Sequence, residues 1–165
     1  MKRLFFLYTL IMSLLCVSCY SFSGASINPA VKTFSVSYFN NNAEIVNPTL
    51  SQTITEALKD KFLSRTSLKL VDNGGDMDFI GTITSYNTTP QAITNDQVAA
   101  MNRLSVTINV KYTNAVDNKL NFVKSYTRYQ DYDSSLSLSE VESSLVDEIV
   151  AQLVDDIFNE TAVNW

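Results

Sequence analysis

The chain has no histidine in its 165 residues. That excludes Ser-His-Asp and Cys-His nucleophilic machinery and, with cysteine so scarce, zinc sites of the usual kind. The 2 cysteines, Cys16 and Cys19, both lie near the N-terminus, so the rest of the chain has no disulfide to form. The 4 glycines, Gly24, Gly74, Gly75 and Gly81, fall into no GxGxxG or Walker pattern, which leaves no phosphate-cradling loop. Basic residues are outnumbered, 12 against 17 acidic, a poor balance for a nucleic-acid binder. Paired carboxylates such as Asp155-Asp156 and Asp131-Tyr132-Asp133 remain. Such pairs are far more often solvated faces than glycosidase pairs, and no enzyme is expected. Long apolar runs are missing too. The main one, Leu4 to Leu15, is well short of the ~20 residues that span a bilayer.

What that run does have is context. Met1-Lys2-Arg3 precedes it and Leu15-Cys16-Val17-Ser18-Cys19 follows, the layout of a secretory signal. A cut just before a cysteine is the bacterial lipoprotein arrangement, with a diacylglyceryl group on the new N-terminal thiol and an acyl chain on its amine. Cys19 is the better lipid site, because small Ser18 and Cys16 stand one and three places before it, whereas Cys16 follows Leu15. The alternative is a plain secretory signal with two incidental cysteines. Each buried methylene contributes ~0.8 kcal/mol, so several acyl chains make a firm anchor. The expected organisation is a signal peptide over 1–18, a lipidated tether over 19–32 and one domain over 33–165. Cleavage removes Lys2 and Arg3 from the 12 bases, leaving 10 against 17 acids, a net charge of −7.

Within the domain, alternation predicts a strand from Thr33 to Phe39, ended by Asn40-Asn41-Asn42. Thr49 and Gln52 read as a capping box opening a helix whose Leu50, Ile54, Ala57, Leu58 and Phe62 make one apolar stripe. Leu68 to Asp72 and Phe79 to Tyr86 read as a hairpin about Asn73-Gly74-Gly75-Asp76. Asn87 to Asn102, small and polar with Pro90, reads as a long loop with a helical turn near Gln97 to Ala100. Leu104, Val106, Ile108, Val110 and Tyr112 then alternate with Arg103, Ser105, Thr107, Asn109 and Lys111, the clearest strand in the chain. Asn121 to Tyr132 returns beside it. Ser137 and Glu140 form a second capping box before a helix to about Asn159, and Trp165 is expected to dock on the fold. The order β-α-β-β-β-β-α predicts an α+β two-layer sandwich, with two amphipathic helices on one face of a mostly antiparallel sheet of four to five strands.

Charge is segregated along the chain. Arg103, Lys111, Lys119, Lys124 and Arg128 stand against Asp117 alone between residues 103 and 128. Glu140, Glu142, Asp147, Glu148, Asp155, Asp156 and Glu160 meet no Lys or Arg in the last helix. The acidic helix reads as a solvated face, and the alternative is a face that keeps the domain off anionic lipid head groups. The five cations suit phosphate or carboxylate ligands, or serve as ordinary protection of strand edges, and the sequence leaves both open. The central strand's polar face, Ser105, Thr107 and Asn109 with Lys111, is mostly uncharged and suits a wet protein interface, though a plain solvated face has the same composition.

Several segments carry a family resemblance: Cys19-Tyr20-Ser21-Phe22-Ser23-Gly24-Ala25-Ser26-Ile27, Val46 to Gln52, Thr55 to Phe62, Asp78-Phe79-Ile80-Gly81, Asn102-Arg103-Leu104 and Glu148 to Asn159. In this order they resemble the LptE lipoproteins of the Bacteroidetes type over nearly the whole mature chain. The resemblance implies a non-enzymatic outer-membrane subunit of the lipopolysaccharide translocon, seated in the lumen of the LptD β-barrel as a plug that assists its folding and opening. It also implies lipopolysaccharide as a ligand, for which Arg103, Lys111, Lys119, Lys124 and Arg128 are the candidate contacts. No cofactor is expected beyond the covalent lipid on Cys19. Tyr20 follows that cysteine where aspartate would retain a lipoprotein at the inner membrane, and Ser21-Phe22-Ser23 lacks the acidic run tied to surface display. The expected location is therefore the periplasmic side of the outer membrane. The rival reading is a freestanding periplasmic lipid- or peptidoglycan-binding lipoprotein.

Overall fold

A computed structural model describes residues 27–91 and 100–163. The signal segment, Cys19 and most of the tether lie outside the described residues, as do 92–99 of the expected loop and Trp165. The described chain runs β1 (Thr33–Val36), β2 (Asn40–Asn41), α1 (Leu50–Arg65), β3 (Lys69–Leu70), β4 (Met77–Gln91), β5 (Met101–Asn114), β6 (Phe122–Asp133) and α2 (Leu138–Phe158). A 3₁₀ turn at Asn118–Leu120 precedes β6, and a π turn at Asn159–Val163 extends α2. The sheet has the order β3-β1-β4-β5-β6, with β2 also on β4. Both helices pack on one face, the expected α+β sandwich.

Apolar periodicity builds this core. Leu50, Ile54, Leu58 and Phe62 of α1 are fully buried, and so are Leu104, Val106, Ile108 and Val110 of β5. From α2 come Ile149, Leu153 and Ile157. The Phe62 ring lies 5.3, 5.0 and 5.2 Å from those of Phe34, Phe79 and Phe158, and so joins β1, β4 and both helices. Each such side chain stabilises the fold by about 1.5–3 kcal/mol through burial. Ser137 and Glu140 form the expected box, the Glu140 carboxylate accepting from the Ser137 N–H at 2.8 Å.

The sheet has six strands where four to five were expected, and it is mixed, although most of its pairing is antiparallel. Thr33 pairs with Lys69, Ser35 with Asp78 and Asn40 with Thr82, all in parallel ladders, while β4-β5-β6 is antiparallel. The expected hairpin of the Leu68 and Phe79 segments does not form, because β1 lies between them. The Asn73 to Asp76 turn steps across β1 instead. Gly74 takes φ +65 there, and a Cβ on Gly75 would stand 2.6 Å from the Phe34 backbone. Asp76 then fixes the crossing by accepting from the Lys32 N–H (2.8 Å), the Thr33 N–H (3.0 Å) and the Thr33 hydroxyl (3.0 Å). Those donors hold its carboxyl below the ordinary range.

Three boundaries also move. The Thr33 strand breaks after Val36, and Asn40–Asn41, expected to end it, forms β2 on β4. Phe39 turns inward between them and packs on Gly81, whose absent Cβ would lie 2.1 Å from the ring. Both described ends of the expected long loop are strand: β4 continues to Gln91, which pairs with Met101 at the start of β5. At α1, Asn47 displaces Thr49 as the side-chain cap, its Oδ1 accepting from the N–H groups of Thr49 and Leu50, both at 3.0 Å.

Candidate functional site

Strand alternation gives the sheet two unlike faces. Even-numbered residues of β5 point under the helices, and odd-numbered ones point away. Cross-strand register then lays out the bare face in rows: Ile80-Lys111-Val123, Thr82-Asn109-Ser125, Ser85-Thr107-Thr127, Asn87-Ser105-Tyr129 and Thr89-Arg103-Asp131. A bulge between Ile83 and Ser85 keeps the rows aligned. No described helix or loop covers these rows, whereas the Asn73 to Asp76 turn crosses the same side of the sheet at Ser35, which it buries. Its centre is neutral, and its polar groups bond along the rows: Thr107 Oγ1 to Thr127 Oγ1 at 2.9 Å, Asn109 Nδ2 to Ser125 Oγ at 3.0 Å. Only the ends carry charge. Large apolar groups show there as well, with Val123 65% and Tyr129 48% exposed.

The five cations singled out in the sequence do not share one surface. Arg103 ends one row, with Nε and Nη2 donating to the Asp131 carboxylate at 2.7 and 2.8 Å and the guanidinium 3.6 Å from the Tyr129 ring centroid. That pairing raises the Arg103 pKa and lowers that of Asp131. Lys111 stands about 27 Å along the same strand, between exposed Ile80 and Val123. Lys119 lies on the 3₁₀ turn, its N–H held by Asp117 Oδ1 at 3.0 Å. Lys124 and Arg128 sit on the helix side of β6. Lys124 Nζ meets Glu160 Oε2 at 2.7 Å, and Arg128 grips Asp156 with two bonds of 2.6 Å. Among the described residues, Lys111 and Lys119 make no ion pair.

The segregated charges of the sequence therefore meet in space. Gln130 Nε2 donates to Glu148 Oε2 at 2.7 Å, so Glu148 and Asp156 of α2 and Glu160 of the π turn that extends it form one row above β6. Between the strand and the end of α2 lies a cleft of about 380 Å³ lined by Lys124 to Arg128 with Asp156, Asn159 and Glu160. Tyr126 lies beside it with its hydroxyl buried and unpartnered among the described residues. Burial, then Glu160 and Asp156, push that hydroxyl's pKa up.

A second polar junction had no signal in the sequence. Besides capping α1, Asn47 donates through Nδ2 to Glu142 Oε1 at 2.8 Å, and the same oxygen accepts the Tyr86 hydroxyl at 2.5 Å. Three elements meet there through residues up to 95 positions apart. Burial raises the Tyr86 pKa, and the bond to Glu142 raises it further. Nothing in Asn47 or Glu142 alone announces such a pairing.

Against this geometry, the model of the family described as LptE, lipopolysaccharide-assembly, matches residues 31–161. The chain belongs to the LptE family. Its role lies in lipopolysaccharide assembly, and the LptE family is not a catalytic one. No curated protein sequence matches the chain. Among solved structures, a minor lipoprotein from Acinetobacter baumannii superposes with a TM-score of 0.52 at 14% identity, covering 79% of this chain and 92% of that one. Rare lipoprotein B from Shewanella oneidensis gives a TM-score of 0.46 at 15% identity over 76% of this chain and 91% of its own. The first of these shares the fold seen here. Among the described residues no helix is long and apolar enough to cross a membrane.

Proposed function

We propose that this LptE-family chain is the lipid-anchored partner of an LptD-like β-barrel at the outer membrane, seated in the barrel lumen from the periplasmic side. Cys19 holds the lipid. The domain works by filling space and stabilising the barrel during assembly, and lipopolysaccharide passes the pair on its way to the surface. Bond-making chemistry has no part in it.

The bare sheet face carries this reading. A barrel lumen is polar, lined by alternate residues of its strands. A face with charged ends and a neutral hydroxyl and amide centre fits such a wall, because few charges need desolvation on docking. A purely solvated face would have no need to confine its charges to the end rows. Arg103 and Lys111 lie on this face, with Lys119 near its end, and are the residues proposed to contact the barrel or lipopolysaccharide phosphates. Lys124 and Arg128 reach such groups only by leaving their α2 carboxylates.

Depletion of the protein is the test. The expected result is loss of correctly folded LptD-like barrel and of surface lipopolysaccharide, and normal levels of both would refute the reading. A paired Thr107→Glu and Ser125→Glu variant sharpens it. It should reach the membrane folded yet no longer co-purify with the barrel. Co-purification at the wild-type level would remove the bare face from the contact.

A further inference from the structure

The two edges of the sheet are protected unequally. β3 is two residues long and offers almost nothing to a stray strand. β6, at the other end, spans twelve residues with no proline or glycine, and twelve consecutive pairs hold it to β5 without a bulge. Its main chain pairs with β5 alone among the described residues. Lysine or arginine reaching past an edge is a usual guard, but here Lys124 and Arg128 are drawn back onto α2 by Glu160 and Asp156. The remaining side chains of the bare face along this edge are Val123, Ser125, Thr127 and Tyr129, all uncharged, and Asp131 is neutralised by Arg103. The cleft between β6 and α2 runs beside the same backbone.

We propose that β6 is a docking edge that accepts one extended segment of the barrel subunit as an added strand. This rests on the barrel reading above. A closed barrel has no free strand edge, so the segment comes from a loop or a terminal stretch and not from the wall. Its chemistry follows from what overlooks the edge. The Glu148 carboxylate, matched only by neutral Gln130, and the Asp156 and Glu160 oxygens favour Lys or Arg on the side facing α2. The other side continues the neutral bare face and takes Ser, Thr or small apolar residues. A second copy fits less well. Antiparallel pairing of two β6 strands sets two α2 helices side by side on one face, and α2 carries Glu140, Glu142, Asp147 and Glu148 outside any ion pair among the described residues.

Photo-crosslinking of the full lipidated chain in its own membranes tests this. A benzophenone side chain at Ser125 or Thr127 is expected to yield adducts on one short segment of the barrel subunit rich in Lys or Arg, and Glu148→Lys should weaken them. Thr127→Pro and Arg128→Pro remove neighbouring N–H groups, one aimed at β5 and one outward. The outward one should keep the thermal midpoint close to wild type and lose the Ser125 adduct. Adducts between two copies of this chain, no adduct at either position, or an adduct that survives the outward proline would each overturn the inference. Adducts from a benzophenone at Asn109 but not at Ser125 or Thr127 would sink the edge and leave the barrel reading standing; absence of barrel adducts from all three would sink both.

Discussion

One sheet presents two faces that obey different rules. Beneath the helices, Ile108, Val110 and Phe79 are fully buried in the apolar core. On the opposite side of the same strands, Thr107, Asn109 and Ser125 bond mainly to one another. The first face is held by dense packing, so its residues determine whether the chain folds. The second contributes little to folding and is free to be shaped by what it meets. Stability and the recognition proposed for the bare face are therefore separated by one step along each strand.

The largest effect expected from this contrast lies under the helices. Phe62→Ala empties the junction of four aromatic rings and should cost about 3–5 kcal/mol in urea unfolding. A loss below about 1 kcal/mol would mean that the site collapses easily and the faces differ less than described. Gly81→Ala tests the same face from the opposite direction, by adding atoms. Its methyl would meet the Phe39 ring, and a loss of about 1–3 kcal/mol is expected from the same titration. On the bare face, Thr107→Val with Thr127→Val should shift stability by no more than about 0.5 kcal/mol at each position. A shift as large as that of Gly81→Ala would erase the distinction.

The smallest effect is acidic. Asp76, Asp131, Asp133 and Glu140 all have carboxyls lowered in the fold, by donors from Lys32 and Thr33, from Arg103, from Ser135 and from Ser137 respectively. Groups lowered on folding add stability that is complete above their unfolded pKa and disappears as pH falls through the folded value. The urea midpoint should be level from neutrality to about pH 5 and decline below about pH 4. Asp76→Asn should flatten part of that decline, and an unchanged slope would show that the turn's acceptor adds nothing.

Much of this was legible in the sequence, for a physical reason. Period-two alternation in β5 and the 3.6-residue stripes of α1 and α2 are imprinted by burial on one side, so Leu104 to Tyr112, Leu50 to Phe62 and Leu145 to Phe158 could be read directly. Where no side is buried there is no imprint. Beyond Tyr86, residues Asn87 to Pro90 are exposed on both faces, and a strand there looks like a loop. The placing of β1 between β3 and β4 was hidden because it depends on partners far apart in the chain. The family resemblance was carried by segments spread along the chain. The neutral bare face was visible as composition, but its rows appeared only with the register. The role of Asn47 was hidden for the same reason, since its second bond joins it to Glu142 across the fold.

The placing of β1 has a consequence in time. Ser35 must find Asp78, 43 residues downstream, whereas β4, β5 and β6 are joined by short connections. Contacts between distant residues carry a larger entropic cost and form late. The three-strand meander should thus organise first and offer β4 as a template, while β1, though it precedes the meander in the chain, waits longest for its place.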